Sequence, residues 1–365
     1  MSSSQFRAPV PAVIETDALV VGAGPVGLFQ VFELGLQGIA AHLVDVLPEP
    51  GGQCVALYPD KTIYDIPGVP VCSGRELTHK LLRQIAPFSP VFHFEQQVST
   101  LAQAPDGRWL VTTQAGLQPC QQFLTRTLFI AAGVGAFVPK ELKIDGLAAF
   151  LGLQLFYQAQ PPSAFAGKQV LIVGGEDAAV ANAIALADNG AAQASSVMLV
   201  HRRDVLQASS SDLGRFVALR EAGHIQFQAG QITGIDCANR QLRGVLVNTP
   251  DDHTLNLPLD VLLVCQGISP KLGPLAQWGL AMQRKQLCVS TETFATSAPG
   301  IFAVGDVVTY PGKKKLLVCG FHEATLAAFA AAKLIRPSQS EVLQYTTSSA
   351  LLRQRLGVAP DTNPP

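Results

Sequence analysis

Residues 18–53 read ALVVGAGPVGLFQVFELGLQGIAAHLVDVLPEPGGQ. Residues 18–21 form a short apolar run of the kind found in a strand buried on both faces. Gly22-Ala23-Gly24-Pro25-Val26-Gly27 is a G-x-G-x-x-G turn, and the pattern behind it reads as a helix from Pro25 to about Gly38. Residues 41–44 read as a second strand with Asp45 at its end. This order of strand, glycine turn, helix, strand and acid is that of a dinucleotide-binding βαβ unit. In such a unit Gly22 permits the tight turn, Gly24 lets the backbone approach a pyrophosphate, and Gly27 lets helix and strand lie close. The helix N-terminus turns its free N–H groups toward the phosphates. Asp45 stands where a carboxylate accepts hydrogen bonds from an adenosine ribose.

The 365 residues suffice for two domains of ordinary size. Hydrophobic residues make up 48% and charged residues 15%, a globular rather than a disordered balance. A formal net charge of −1 gives no reason to expect nucleic acid or an anionic membrane as a partner. No apolar run reads as long enough for a membrane span. The opening MSSSQFRAPVPAVIETD lacks a charged leader, apolar core and small-residue cleavage site, so it reads as a loose arm and the expected location is cytoplasmic. The seven cysteines form no C-x-x-C and stand at no zinc spacing, which suits reduced thiols and no metal. Cys265 and Cys319 lie in apolar runs and read as small core residues.

Residues 48–58 (PEPGGQCVALY) carry turn chemistry and read as a loop. Gln53 there offers an amide beside a cofactor, and Tyr58 offers a ring that stacks on a flat ligand. Residues 63–69 continue as a loop, and 74–85 read as an amphipathic helix with Leu77, Leu81, Leu82 and Ile85 on one face. Strands are expected over 91–94, 98–101, 109–113 and 123–132. Residues 140–146 read as a linker.

Residues 168–203 repeat the opening layout: a strand over 169–173, a turn Gly174-Gly175-Glu176-Asp177-Ala178-Ala179, a helix over 178–189 and a strand over 197–200. Two such units imply two dinucleotides. The second unit ends in His201-Arg202-Arg203 instead of an acid, which suits a ribose 2′-phosphate and favours NADP over NAD. Glu176 occupies the middle glycine position, adding bulk and negative charge where a phosphate would approach. Further on, 215–223 read as helical and 225–248 as strands with turns at Gly230, Gly234 and Asn239-Arg240. A buried strand is expected over 259–267. A turn and strand over 296–305 end at Asp306, an acid placed to meet the polyol or pyrophosphate of a large cofactor. Residues 320–334 read as a helix that begins near His322, 343–358 as a C-terminal segment, and 359–365 as a frayed tail.

Taken with GAGPVG (22–27), EPGGQC (49–54), LYP (57–59), GVGAF (133–137), SPKLGP (269–274) and PGIFAVGDVVTYPGKKKLLVCGFHEA (299–324), the chain resembles the two-dinucleotide-binding flavoproteins. It is most similar to the thioredoxin-reductase-like ferredoxin–NADP reductases of bacteria, over nearly its whole length. The resemblance implies an α/β fold of two Rossmann-like three-layer dinucleotide-binding domains. The FAD domain would be discontinuous, over 12–140 and 287–365, and the NADPH domain would span 145–286. It implies that Asp45 binds the adenosine ribose of FAD, that Gln53 and Tyr58 line the flavin, and that Val98 and Phe137 contact it. Asp306 would hold the ribityl or pyrophosphate region, Thr347 would lie near the isoalloxazine, and Tyr345 would cover its nicotinamide-side face. The NADPH turn of the family reads glycine–glycine–glycine–aspartate–serine–alanine, so Glu176 and Ala178 depart from it. Gln207 stands where a basic residue is usual. A homodimer is also implied.

Two such folds with a flavin between them imply a reaction class. A nicotinamide delivers a hydride, an iron–sulfur protein accepts single electrons, and a flavin converts between the two. No nucleophile, general base or metal is required; the chain must align nicotinamide C4 with flavin N5 and leave the ring edge reachable. Ferredoxin or flavodoxin is the expected partner, with Lys313, Lys314, Lys315, Arg353 and Arg355 as docking candidates for an acidic surface. Two rivals stand beside this reading. A thioredoxin reductase needs a redox-active C-x-x-C, and residues 151–167 contain no cysteine. Cys54 in GGQC resembles one half of the disulfide of glutathione-reductase-like enzymes, but the partner position five further on is Pro59. The other rival is an FAD-binding sensor or scaffold that reacts weakly with NADPH, which Glu176 and Gln207 would favour.

Overall fold

The computed structural model describes residues 13–57, 59–116, 118–158, 160–188, 194–338 and 343–358. Tyr58, residues 1–12 of the opening arm and the tail at 359–365 lie outside the described residues, while residues 13–17 of that arm are not loose but begin the strand Val13–Val21. Among those described, seven α-helices follow in order: α1 (Pro25–Leu36), α2 (Gln53–Ala56), α3 (Gly74–Ile85), α4 (Asp177–Ala187), α5 (Ser210–Glu221), α6 (Leu317–Ile335) and α7 (Ala350–Arg355). The chain divides into two compact units, Met1–Ala136 with Lys271–Pro365, and Phe137–Pro270.

In the first unit, Val13–Val21 pairs in parallel with Ala41–Val44, Ala18 opposite Ala41, and with Gln118–Ile130, Val21 opposite Ile130. Val91–His93 extends the sheet beyond Ala41–Val44. The strand Gln118–Ile130 serves two purposes. Its last residues pair in parallel with Ile301–Ala303, while its earlier part pairs antiparallel with Trp109–Ala115, which in turn pairs with Gln97–Gln103. The alternation along the strands separates two cores. Ala18, Val20, Leu43, Phe129 and Phe302 face helices, meeting Leu28 of α1, Leu77 of α3 and Ala327, Ala328 and Ala331 of α6. Leu19, Val21, Val44, Leu128 and Ile130 face the antiparallel strands and meet Val98, Val111 and Phe123. Burial on both faces explains why 18–21 is apolar throughout.

The second unit is built the same way. Its parallel sheet has the order Leu155–Phe156, Val261–Val264, Gln169–Val173, Ser196–His201, Ile225–Ala229. Val170 and Ile172 pack with Ala179, Val180, Ala183 and Ile184 of α4 and Phe216 of α5. Leu171 and Val173 pack on the other face against Val245 and Val247 of an antiparallel sheet formed by Gln231–Ala238, Gln241–Asn248 and Thr254–Pro258. Each unit is therefore a three-layer sandwich of helices, parallel sheet and antiparallel sheet.

Several local readings change. Within 48–58 the chain forms the short helix α2, started by Gly52 at φ +55°, instead of a continuous loop. Gly234 is not a turn; it lies inside Gln231–Ala238 at a register shift between Ile232 and Gly234, a bulge. The chain re-enters the first unit at Lys271, earlier than residue 287, because Leu275 and Leu280 join the core of Leu19, Val98 and Leu128. The helix α6, with 19 residues, is by length and composition apolar enough to cross a membrane, contrary to the reading that no run reaches that length. Its alanine face is spent instead on the core shared with α1.

Candidate functional site

The first glycine turn is fixed by the fold around it. Gly22 N–H donates to Val44 O at 2.8 Å, and Ala131 N–H to Val21 O at 2.8 Å. Gly22 has φ +109°, and a Cβ there would run into the Ala131 carbonyl; a Cβ on Gly27 would run into the carbonyl of Gly22. Gly24 differs: at φ −71° it would accept a side chain sterically, with only Gly52 Cα within reach at 3.8 Å. Its face is open on the protein side. No side chain caps α1, and Pro25 at its start has no N–H to satisfy, so the amides of its first turn are left for an anion.

Three more segments meet this turn. Asp45 accepts the Ala23 N–H at 2.6 Å through Oδ2 and the Leu47 N–H at 2.8 Å through Oδ1. Burial pushes its carboxyl above the usual range, and the N–H groups of Leu47, Ala23 and Val46 oppose the shift. Three N–H groups on a carboxylate with about four acceptor sites leave one for a ligand hydroxyl. Gly51 N–H donates to Ala23 O at 2.8 Å, which brings the start of α2 under the turn. Gln53, the first residue of α2, places its Nε2 3.0 Å from where a Cβ on Gly133 would stand, so GGQC and GVGAF meet. Val26, from α1, lies 3.5 Å from the corresponding point on Gly305 and fills the space where a Cβ on Gly320 would go. The α1 turn, the Gly305–Asp306 corner and the start of α6, itself without a side-chain cap, are thus gathered together. Open glycine backbone, two uncapped helix starts and two half-buried acids fit a dinucleotide of the size and charge of FAD.

In the second unit, Gly174 sits at the end of Gln169–Val173, where a Cβ would collide with Cys265 O. The ring of His201 lies over Gly175, 2.5 Å from the position of a Cβ there. Burial holds the His201 imidazole below its ordinary range, with Arg202 and Arg203 adding to the effect and Glu176 opposing it. Arg202 and Arg203 are exposed just beyond Ser196–His201. Gln207 acts through its backbone, donating to Gly175 O at 2.7 Å, and Asp177 accepts the Ser209 N–H at 3.1 Å. These two bonds dock the loop after the arginines onto the glycine turn, a link that no spacing in the sequence announces. Glu176 starts α4 without capping it, and its side chain turns toward Gly267.

Other predicted residues fall elsewhere. Val98 is 4% exposed and its side chain belongs to the core, which leaves its backbone for a ligand. Phe137 lies in the strand Ala136–Pro139. Tyr345 is 64% exposed, and among the described residues no hydrogen bond joins it or Thr347 to the glycine turn. Arg353 donates to Thr347 O, and Arg355 to Leu36 O, so α7 is fastened at the end of α1 opposite Gly24. The docking set shrinks accordingly. Lys313 is buried in an ion pair with Glu323, Arg355 is held at Leu36, and Lys314 and Lys315 are exposed.

All seven cysteines are free thiols. Cys72 is the buried one; Cys265 is half-buried against the core of the second unit, as its apolar run suggests, whereas Cys319 is half-buried outside the core clusters, a change from the core reading. Burial pushes the Cys265 thiol up to about 11. Burial and the neighbouring Asp306 likewise raise that of Cys54, which disfavours the thiolate that dithiol chemistry requires.

The chain belongs to the pyridine nucleotide-disulphide oxidoreductase family, whose model matches residues 16–331. Relatives are similar over almost their whole length. The ferredoxin–NADP reductase of Paracidovorax citrulli is 58% identical, covering 95% of this chain and 97% of its own. That of a Polaromonas species is 56% identical over 94% of this chain and 93% of its own. Among solved structures, the thioredoxin reductase of Lactococcus lactis aligns with a TM-score of 0.54 at 22% identity, over 88% of this chain and 99% of that one. That likeness concerns the fold.

Proposed function

We propose that this chain is an FAD-dependent ferredoxin–NADP reductase that passes electrons between NADPH and a small redox protein. The observation that carries the reading is the duplicated dinucleotide cradle with divergent ends, Asp45 after the first and His201-Arg202-Arg203 after the second. Bound FAD supplies the conversion between a two-electron hydride and single electrons. The first unit binds it: the first-turn amides of α1 and the bare backbone of Gly22, Gly24 and Gly27 receive the pyrophosphate, Asp45 the adenosine ribose. Asp306 holds the ribityl or pyrophosphate region, and Gln53 presents its amide to the ring. Tyr58, Val98, Phe137, Tyr345 and Thr347 complete the set by resemblance. In the second unit Gly174 and Gly175 receive the nicotinamide nucleotide, and Arg202 and Arg203 bind its 2′-phosphate as charge-assisted donors. His201 keeps its ring over Gly175 and thereby sets the turn.

Lys314 and Lys315 form the cationic edge that docks an acidic ferredoxin or flavodoxin. The motif resemblance supports a homodimer, and the reduced thiols support a cytoplasmic location. The test is stopped-flow reduction of the purified yellow protein by NADPH and by NADH, followed by reduction of ferredoxin and of flavodoxin. Fast bleaching by NADPH and onward transfer to either acceptor are expected. A flavin that neither nucleotide bleaches would replace the reductase with an FAD-binding sensor or scaffold, the outcome that Glu176 favours. A protein that takes up no FAD would sink both.

A further inference from the structure

Glu323 is an acid with no exposed surface, on the second turn of the largely apolar helix α6. A carboxylate in such a place must be matched by donors, and three converge on it. Its Oε2 accepts the Gly305 N–H at 2.6 Å. Its Oε1 accepts the Tyr310 hydroxyl at 2.8 Å and pairs with Lys313 Nζ. The Lys313 side chain is only 7% exposed, so the pair is closed to water.

The bonded points share one stretch of chain. Val304 N–H still donates to Ile130 O at 3.0 Å, the last bond of the sheet. Gly305 then turns with φ +82°, a conformation that removes its N–H from the ladder. Glu323 takes up that N–H. Tyr310 and Lys313 lie in the loop that leads from this corner to α6, so one carboxylate ties both ends of the loop. From the opposite side Gln286 Nε2 donates to Asp306 O at 3.1 Å and to Val308 O at 3.0 Å. Asp306 is thus braced at the N–H before it and at its own carbonyl. Its half-buried carboxylate has no hydrogen bond among the described residues.

We propose that Glu323, with Gln286 as its counterpart, is a positioning residue for FAD, holding the Gly305–Asp306 corner so that Asp306 meets the cofactor. The proposal rests on the assignment of Asp306 to FAD made above. Neither brace touches the ligand; each acts by confining the backbone that carries the acid. The run of three lysines is then not uniform, because Lys313 neutralises Glu323 and only its two successors face water.

The test compares holoenzymes of wild type, Glu323→Gln, Gln286→Met, Asp306→Asn and the two double variants with Asp306→Asn. FAD release on dilution is read from flavin fluorescence, the bound flavin from its visible circular dichroism, and folding from far-ultraviolet circular dichroism. Loss of the charge-assisted bond at the corner should weaken FAD retention about tenfold or more in E323Q, and loss of the two neutral amide bonds several-fold in Q286M, with an altered flavin signal. Because both act through Asp306, their losses should largely vanish in the D306N background. Unchanged retention in folded E323Q, or losses that add fully to that of D306N, would overturn the proposal. If E323Q does not fold, because Lys313 is left as an unpaired buried charge, Q286M carries the same two outcomes. Wild type without FAD would instead refute the cofactor assignment itself.

Discussion

Gly24 and Gly52 face each other backbone to backbone, and the relation is asymmetric. A Cβ on Gly52 would stand 2.9 Å from Gly24 Cα, at a φ of +55°, whereas a Cβ on Gly24 would approach Gly52 Cα no nearer than 3.8 Å. The fold therefore needs Gly52 bare, while the bareness of Gly24 serves something outside the protein.

Gly24→Ala should accordingly leave a folded protein that holds FAD poorly. Its apoprotein melting temperature is expected within a degree or two of wild type, with flavin content after purification sharply reduced. Gly27→Ala should fail earlier, as insoluble chain, since its Cβ would overlap the Gly22 carbonyl. Equal flavin occupancy in G24A and wild type would show that no phosphate approaches that face.

Glu33 of α1 is buried against α6, and burial carries its carboxyl from 4.5 to about 7, with Thr325 pulling the other way. The folded state thus holds a proton that the unfolded chain has lost. The stabilisation is complete below about pH 4.5 and disappears as pH rises through 7, a difference of about 3 kcal/mol. Glu33→Gln should melt like wild type in mild acid and several degrees higher at pH 8. Parallel melting curves for the two proteins across that range would mean that Glu33 keeps its charge.

His42 and His93 form a stacked pair on neighbouring strands, with Nδ1 and Nε2 2.9 Å apart and the Phe123 ring edge-on to both. Burial lowers both imidazoles below 6.5, and the charge of His42 lowers His93 further. The unfolded chain takes up protons first, so stability falls as pH drops through 6.5 and below. His93→Phe keeps a ring in place and removes one of the two titrating groups. The decline of its melting temperature between pH 6.5 and 5 should be shallower, and an unaltered slope would place the acid sensitivity elsewhere.

The parts of the fold that could be read in advance are those made by near neighbours in the chain. Val21, Gly22, Gly27 and Asp45 lie within one βαβ unit, and α3 announces itself through its Leu77, Leu81, Leu82 and Ile85 face. Residues whose meaning depends on a distant partner were opaque. Lys313 stands in a run of three lysines, and only its pairing with Glu323, ten positions on and in another element, removes it from the surface. The helix α2 is four residues long, too short for any periodicity to show. Gln207 invites attention for its side chain, yet it is the amide of its backbone that meets Gly175.

Glu176 offers the sharpest test of the second unit. Its Oε2 and the Nζ of Lys140 lie 3.6 and 3.8 Å from the point where a Cβ on Gly267 would stand, so a cation shares the neighbourhood of this acid. The charge that a nicotinamide nucleotide would meet at the turn is therefore partly offset, and its cost to binding should be small and salt-sensitive. Glu176→Gly is expected to lower the KM for NADPH about threefold at low salt, with the advantage shrinking as salt is added. Lys140→Ala should raise that KM, and should do so less in the E176G background, since the lysine then has no acid to offset. An E176G protein with wild-type KM at every salt concentration would show that the carboxylate stays clear of the phosphates, turned toward Gly267 as the side chain is here.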